Sequence, residues 1–233
     1  KMIEKYKFII CLLLVNFLFF FPFLIQPTTL TDINNDLGRN YLPIYSYFAD
    51  SIRNFHQIPL WRSEQMMGET FIGNPLPSVF YPLNIIFIIL PIKFASVFTF
   101  LLARNLGLSN TASFAAAIFY AFSTKMLVHF EAGHITMVAA FAYFPMIFLQ
   151  IRKILDSVSF KDLVLGASAL SFSYILYPTV FYYEALFVAF YVIYKIVTQG
   201  KSISKIIKPF SSLLLLTFGL SAISLFPQLE FAS

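Results

Sequence analysis

The sequence predicts an all-α, polytopic transmembrane helical bundle of about seven spans, with a large outer loop bearing interfacial helices after the first span. Three observations carry this. Of 233 residues, 59% are hydrophobic and only 12% charged, where a soluble domain runs near ~45–50% apolar and ~25% charged. Mean hydropathy is +0.78, and aromatic residues make up 19% of the chain, with 30 Phe among them. Apolar runs recur along the chain, separated by short polar stretches. A soluble globular fold, a disordered chain, a coiled coil and a nucleic-acid-binding domain are excluded. Cys11 is the only cysteine, so no intramolecular disulfide forms.

A transmembrane helix needs about 20 mostly apolar residues to cross a ~30 Å hydrocarbon core. The first candidate is Phe8–Pro27, preceded by Lys1, Lys5 and Lys7; it is long and lacks a small-residue cleavage site, so it reads as a retained anchor. Further apolar segments are Ile85–Leu90 continued by Ile92–Ala103, then Ala112–Phe122, Ile135–Ile151, Leu163–Tyr177, Phe181–Val197 and Phe210–Phe226. Pro91 and Lys93 interrupt the second of the seven. Because the chain starts at Lys1 and stops at Ser233 just after an apolar run, residues 1–233 are expected to be the N-terminal part of a longer transmembrane domain.

Sidedness follows from charge. With the N-terminus cytoplasmic and seven alternating spans, eleven of the 16 basic residues fall inside, including Arg104, Arg152 and Lys153. Arg39, Arg53, Arg62, Lys93 and Lys125 fall outside. This is the bias of the positive-inside rule, and a multi-pass protein of the cytoplasmic membrane, with the N-terminus inside and loop 28–79 outside, is expected. All three histidines and most acids then share the outer face.

Residues 28–79 form the outer loop. After Pro43, the residues Leu42, Ile44, Tyr45, Tyr47, Phe48 and Ile52 give one broad apolar face with Asp50 and Arg53 opposite, which is the pattern of an interfacial amphipathic helix. Trp61, the only tryptophan, follows as an interfacial anchor, and Gly68, Gly73, Asn74, Pro75 and Pro77 mark a turn-rich stretch.

One cytoplasmic tail, one helix, a large outer loop and then many short-looped spans form a recognisable plan. The residues that carry it are Asp36-x-x-x-Asn40-Tyr41 running into Tyr45, Ile58-Pro-Leu-Trp61 with Gly68, Asn74-Pro75, Tyr81-Pro82-Leu83-Asn84, and His134 opening a span that ends in Arg152-Lys153. This arrangement resembles the membrane-embedded C-type glycosyltransferase superfamily (GT-C), and within it the bacterial YfhO-like membrane proteins. Dolichyl-phosphate-mannose mannosyltransferase-like proteins and pyruvoyl-tetrahydropterin-synthase-related membrane proteins share the loop plan.

The resemblance implies a transferase that moves a sugar from a polyprenyl-phosphate-linked donor to a glycan, lipid or protein acceptor on the outer face. A transporter, a flippase or a non-catalytic scaffold for lipid-linked glycans is the alternative. The resemblance makes Asp36 the base that deprotonates the acceptor, with Asp32 as the second candidate; both also stand where helix N-caps are common. The implied substrate-binding set is Arg39, Tyr41, Arg62, Lys125, His129, Glu131, His134 and Glu184. Arg39, Arg62 and Lys125 suit a donor phosphate or a lipid headgroup.

His129, Glu131 and His134 form His-x-Glu-x-x-His, which is not the zinc-protease spacing. On a continuous helix His129 and His134, five apart, point in different directions. A polar cluster facing the loop cavity, in contact with donor phosphate or a divalent cation such as Mg or Mn, is the reading taken. Glu184 lies near the outer start of its span, where an ionisable residue costs less than at the bilayer centre.

Overall fold

Hydrocarbon offers backbone amides no partners, so long apolar runs must satisfy their hydrogen bonds internally and become helices. A computed structural model of the chain describes residues 2–26, 34–63, 68–75, 78–82, 90–199 and 203–232. Among these, α1 is Met2–Ile25, a π-helical turn covers Leu37–Tyr41, and α2 is Leu42–Phe55. Then follow α3 (Leu90–Asn105), α4 (Asn110–Ala121), α5 (Thr124–Glu131), α6 (Ile135–Asp156), α7 (Phe160–Leu176), α8 (Pro178–Gln199) and α9 (Ile203–Ala232). Two short strands, β1 (Trp61–Arg62) and β2 (Glu69–Thr70), pair antiparallel and hold the loop together. Asp32 and residues 83–89, where the second expected span begins, lie outside the described residues.

Serine side chains start three of the helices. Ser109, Ser123 and Ser159 accept from the amides of Ala112, Met126 and Asp162 at 3.2, 3.5 and 3.1 Å. Each satisfies one of the amides that a helix N-terminus leaves without an internal partner. The Ser123 cap breaks what would otherwise be one helix and separates α4 from α5. The third expected span, Ala112–Phe122, is therefore continued by α5, and His129 stands at the far end of that helix pair rather than in a free loop.

The chain is an all-α membrane helical protein. Among the described residues, five segments are long and apolar enough to cross a membrane: Tyr6–Phe23, Asn110–Glu131, Ile135–Asp156, Pro178–Thr198 and Ile206–Glu230. The two other expected spans are helical but shorter as described. At 1.5 Å per residue, the 17 residues of α7 reach about 26 Å, less than the ~30 Å core.

Helix α6 is the centre of the bundle. It packs against α3 and α7, α7 packs against α8 and α9, and α3 packs against α1 and α4. In α6, 67% of the span is buried, against 17–28% in the other four. Those other helices turn large side chains such as Leu18, Phe190 and Leu215 outward. Without water to drive apolar surfaces together, close approach of helices depends on small residues and interhelical hydrogen bonds. Ala139, Ala140 and Ala142 of α6 and Gly166, Ala167 and Ala169 of α7 supply the first and are buried. Asn16 supplies the second, donating from α1 to Ser96 of α3 at 3.0 Å.

The two ends of the bundle differ in chemistry. At one, Arg152 donates to Asn105 and to Tyr191, and Lys153 meets Asp162 at 3.7 Å. At the other, described residues of the 34–82 stretch dock on the helix ends. Ser78 donates to the Leu176 carbonyl at 3.0 Å, and the Tyr81 and Tyr143 hydroxyls meet at 2.7 Å. Burial raises the Tyr81 phenol well above its ordinary value, with the neighbouring Tyr143 adding to the shift.

A Cβ at Gly166 would lie 3.2 Å from Leu213 and 3.4 Å from Gln150, so α6, α7 and α9 meet at this glycine. Gly166→Leu is expected to destabilise the bundle by about 1–3 kcal/mol or more through overpacking. A lowered unfolding temperature in detergent, followed by size-exclusion chromatography, checks it; an unchanged temperature would show that the three helices do not meet there.

Candidate functional site

The last turn of α5 builds the site. The helix ends at Ala132, and Gly133 takes φ +82. The Gly133 amide bonds to the Phe130 carbonyl at 3.1 Å, and the His134 amide bonds to the His129 carbonyl at 2.9 Å. This pair of bonds is a Schellman motif, which brings the residue after the glycine back over the helix's last turn. The expectation that His129 and His134 diverge is therefore overturned. The helix does not continue through them, and their Nδ1 atoms lie 3.1 Å apart with the rings stacked.

The loop docks on this turn. The Asp36 amide donates to the Ala132 carbonyl at 3.0 Å, and its carboxylate Oδ2 lies 2.7 Å from His134 Nε2. The other oxygen accepts from Asn40 Nδ2 at 3.0 Å. Four residues apart, Asp36 and Asn40 share a face where the chain enters its π-helical turn. Asp36 begins that turn without a side-chain cap bond, so its carboxylate serves His134 and Asn40 instead. Carboxylate and imidazole are each somewhat over a third exposed.

Tyr41 and Thr136 lock the same junction from beneath, their hydroxyls 2.9 Å apart and both buried. Burial pushes the Tyr41 phenol up to about 12, against a smaller lowering by its Thr136 bond, so the hydroxyl stays neutral at physiological pH. Tyr45 stacks on Tyr41 and is also raised, chiefly by burial.

The other expected site residues separate into near and far. Lys125 is exposed on α5, its ammonium 4.5 Å from the centroid of the Phe141 ring, which His129 also flanks. Arg39 is exposed on the π-helical turn and Glu131 is exposed at the end of α5. Arg62 is buried and paired with Glu69 at 2.7 Å across the strand pair, so its charge is engaged within the loop. Glu184 is buried in α8, where it accepts from Ser173 of α7 through one oxygen; the other has no partner among the described residues.

Asn40, Thr136 and Gly133 complete the site. The sequence signal for Gly133 is a glycine between two histidines at the close of an apolar run, the usual place for a left-handed helix end. Among the described residues, no group of three or more His, Cys, Asp and Glu side chains is placed to hold a metal ion. Magnesium and manganese favour oxygen ligands; at this junction the Asp36 carboxylate supplies two, one shared with His134 and one with Asn40.

A Cβ at Gly133 would lie 2.3 Å from the Leu37 amide nitrogen, in addition to needing a left-handed backbone. Gly133→Ala is expected to cost at least about 1–3 kcal/mol and to push residues 36–37 off the turn. Thermal unfolding in detergent, with proteolysis of the 34–63 segment as a second readout, checks this; a variant as stable and as protected as wild type would refute the docking. Comparison of the chain with protein-family models, with curated proteins and with solved structures finds no match.

Proposed function

We propose that this protein is a membrane glycosyltransferase that takes a sugar from a polyprenyl-phosphate-linked donor, with Asp36 and its imidazole partners as the basic group. The observation that carries the reading is the hydrogen-bonded line Asp36–His134–His129 at the loop-covered end of an apolar helix bundle. Acyl- or glycosyl-type transfer to a hydroxyl needs a proton acceptor within reach of that hydroxyl, worth about 10²–10⁴-fold in rate. A polyprenyl donor partitions into the bilayer, so its phosphate and sugar present themselves at the ends of such helices.

In this reading Lys125 and Arg39 meet the donor phosphate, the ammonium as a point charge and the guanidinium through two donors. Helices α3 and α7 complete seven spans, and the loop faces away from the cytoplasm, in keeping with the Arg104, Arg152 and Lys153 cluster at the opposite end. The resemblance to YfhO-like and other C-type glycosyltransferases, noted from the loop motifs, points the same way. A second reading, transport or scaffolding of a lipid-linked glycan, is favoured by one observation: Glu184 is a buried carboxylate among the spans, and one of its oxygens has no partner among the described residues.

The full-length protein in membranes, supplied with a panel of radiolabelled polyprenyl-phosphate sugars, tests the proposal. At equal expression, Asp36→Asn is expected to lower transfer by about 10²-fold or more. Undiminished transfer would remove Asp36 from the reaction. Absence of transfer by wild type with every donor would favour the transport or scaffold reading.

A further inference from the structure

We propose that the atom that accepts the proton is Nε2 of His129, with His134 and Asp36 as positioning residues behind it; this rests on the sugar-transfer reading above. The direction of the hydrogen bonds assigns it. An ionised carboxylate only accepts, so the 2.7 Å contact between Asp36 Oδ2 and His134 Nε2 puts a proton on that nitrogen. With His134 neutral, as relay of a proton through the pair requires, that is its one proton, and its Nδ1 holds a lone pair. The 3.1 Å approach of His129 Nδ1 must then be a donation from His129 to His134. What is left on His129 is Nε2, with a lone pair and no partner among the described residues.

Asp36 is poorly placed to do the same work. One oxygen accepts from Asn40 and the other from His134, so its charge is used in orienting the pair. The Schellman turn at Gly133 explains why this line exists at all, since it alone carries His134 back over His129. Lys125 lies beside His129, across the Phe141 ring, and offers the donor phosphate a cation next to the base.

The acceptor hydroxyl gives its proton to His129 Nε2, and its oxygen forms a bond to the anomeric carbon. The bond from that carbon to the phosphate oxygen breaks, and its electron pair leaves with the polyprenyl phosphate. The imidazolium on His129 donates to His134, whose own donation to Asp36 brings the negative charge to bear. Release of the proton to water restores the neutral ring.

Carbethoxylation with diethyl pyrocarbonate, mapped by mass spectrometry on the full chain in membranes, tests the proton arrangement without any assay of transfer. The reagent attacks an unprotonated imidazole nitrogen that is not hydrogen-bonded. His129 is expected to be modified and His134 spared, with the exposed His56 as internal standard. Asp36→Ala is expected to unmask His134. A spared His129, or a wild-type His134 modified as readily as His56, would overturn the proposal.

Transfer assays then divide the two readings. His129→Asn keeps a nitrogen toward His134 but removes Nε2, and is expected to lose about 10²–10⁴-fold in transfer. Combined with Asp36→Asn, it is expected to be no slower than the slower single variant, because groups acting as a unit are not additive. If His129→Asn transfers at the wild-type rate while Asp36→Asn does not, the base is Asp36 and only this inference fails. If wild type transfers nothing from any donor, the sugar-transfer reading fails and His129 loses its assigned role, whatever the labelling pattern.

Discussion

The site depends on one close approach of backbone to backbone. The Asp36 amide meets the Ala132 carbonyl at 3.0 Å, and no side chain at position 133 could occupy the space between the turn and Leu37. A single glycine thus performs two tasks. Its positive φ ends α5 and reverses the chain, and its missing Cβ lets the loop lie directly on that reversal. The polar contacts of the Asp36 junction follow from it. The carboxylate of Asp36 reaches His134, His134 reaches His129, and Tyr41 drops its hydroxyl onto Thr136.

The bundle beneath supplies a rigid base for this junction. His134 stands at the start of α6, the most buried span, which α3 and α7 flank. Small residues let those helices approach, and aromatic rings fill the rest. Tyr143 meets Phe94, Phe98 and Phe172 as well as Tyr81 from the loop. The loop is therefore anchored at several separated points, at α5–α6 through residue 36, at α6 through residues 41 and 81, and at α7 through Ser78. A carboxylate held this way has little freedom of rotation, which is what orientation of an imidazole requires.

The buried polar groups elsewhere serve a different end. Asn16 and Ser96 join α1 to α3, while Tyr120 bonds to the Phe141 carbonyl and joins α4 to α6. Arg62 and Glu69 close the loop's strand pair. In hydrocarbon or in a sealed loop, such bonds are worth only about 1–2 kcal/mol each, yet they select one packing among the many that apolar surfaces allow. Some of these groups are only half satisfied among the described residues: Glu184 accepts from Ser173 through one oxygen alone, and Asn16 Oδ1 and Arg62 Nε likewise have no partner.

The sequence by itself determined the class and the raw materials. Long apolar runs can only be helices in a bilayer, because the backbone has no other source of hydrogen bonds there. The amphipathic stretch after Pro43 likewise announced α2 by its period. Asp36, His129 and His134 were also legible as polar residues gathered at one end of the spans. Their mutual geometry was not, for a reason that lies in local backbone conformation. Spacing of five on an assumed helix separates two side chains, and only the left-handed turn at Gly133 reverses that conclusion. The strand pair 61–62/69–70 and the engagement of Arg62 were equally invisible, since two-residue strands carry no period. Tertiary structure decided which acid met which base, because that choice rests on contacts between residues almost a hundred positions apart.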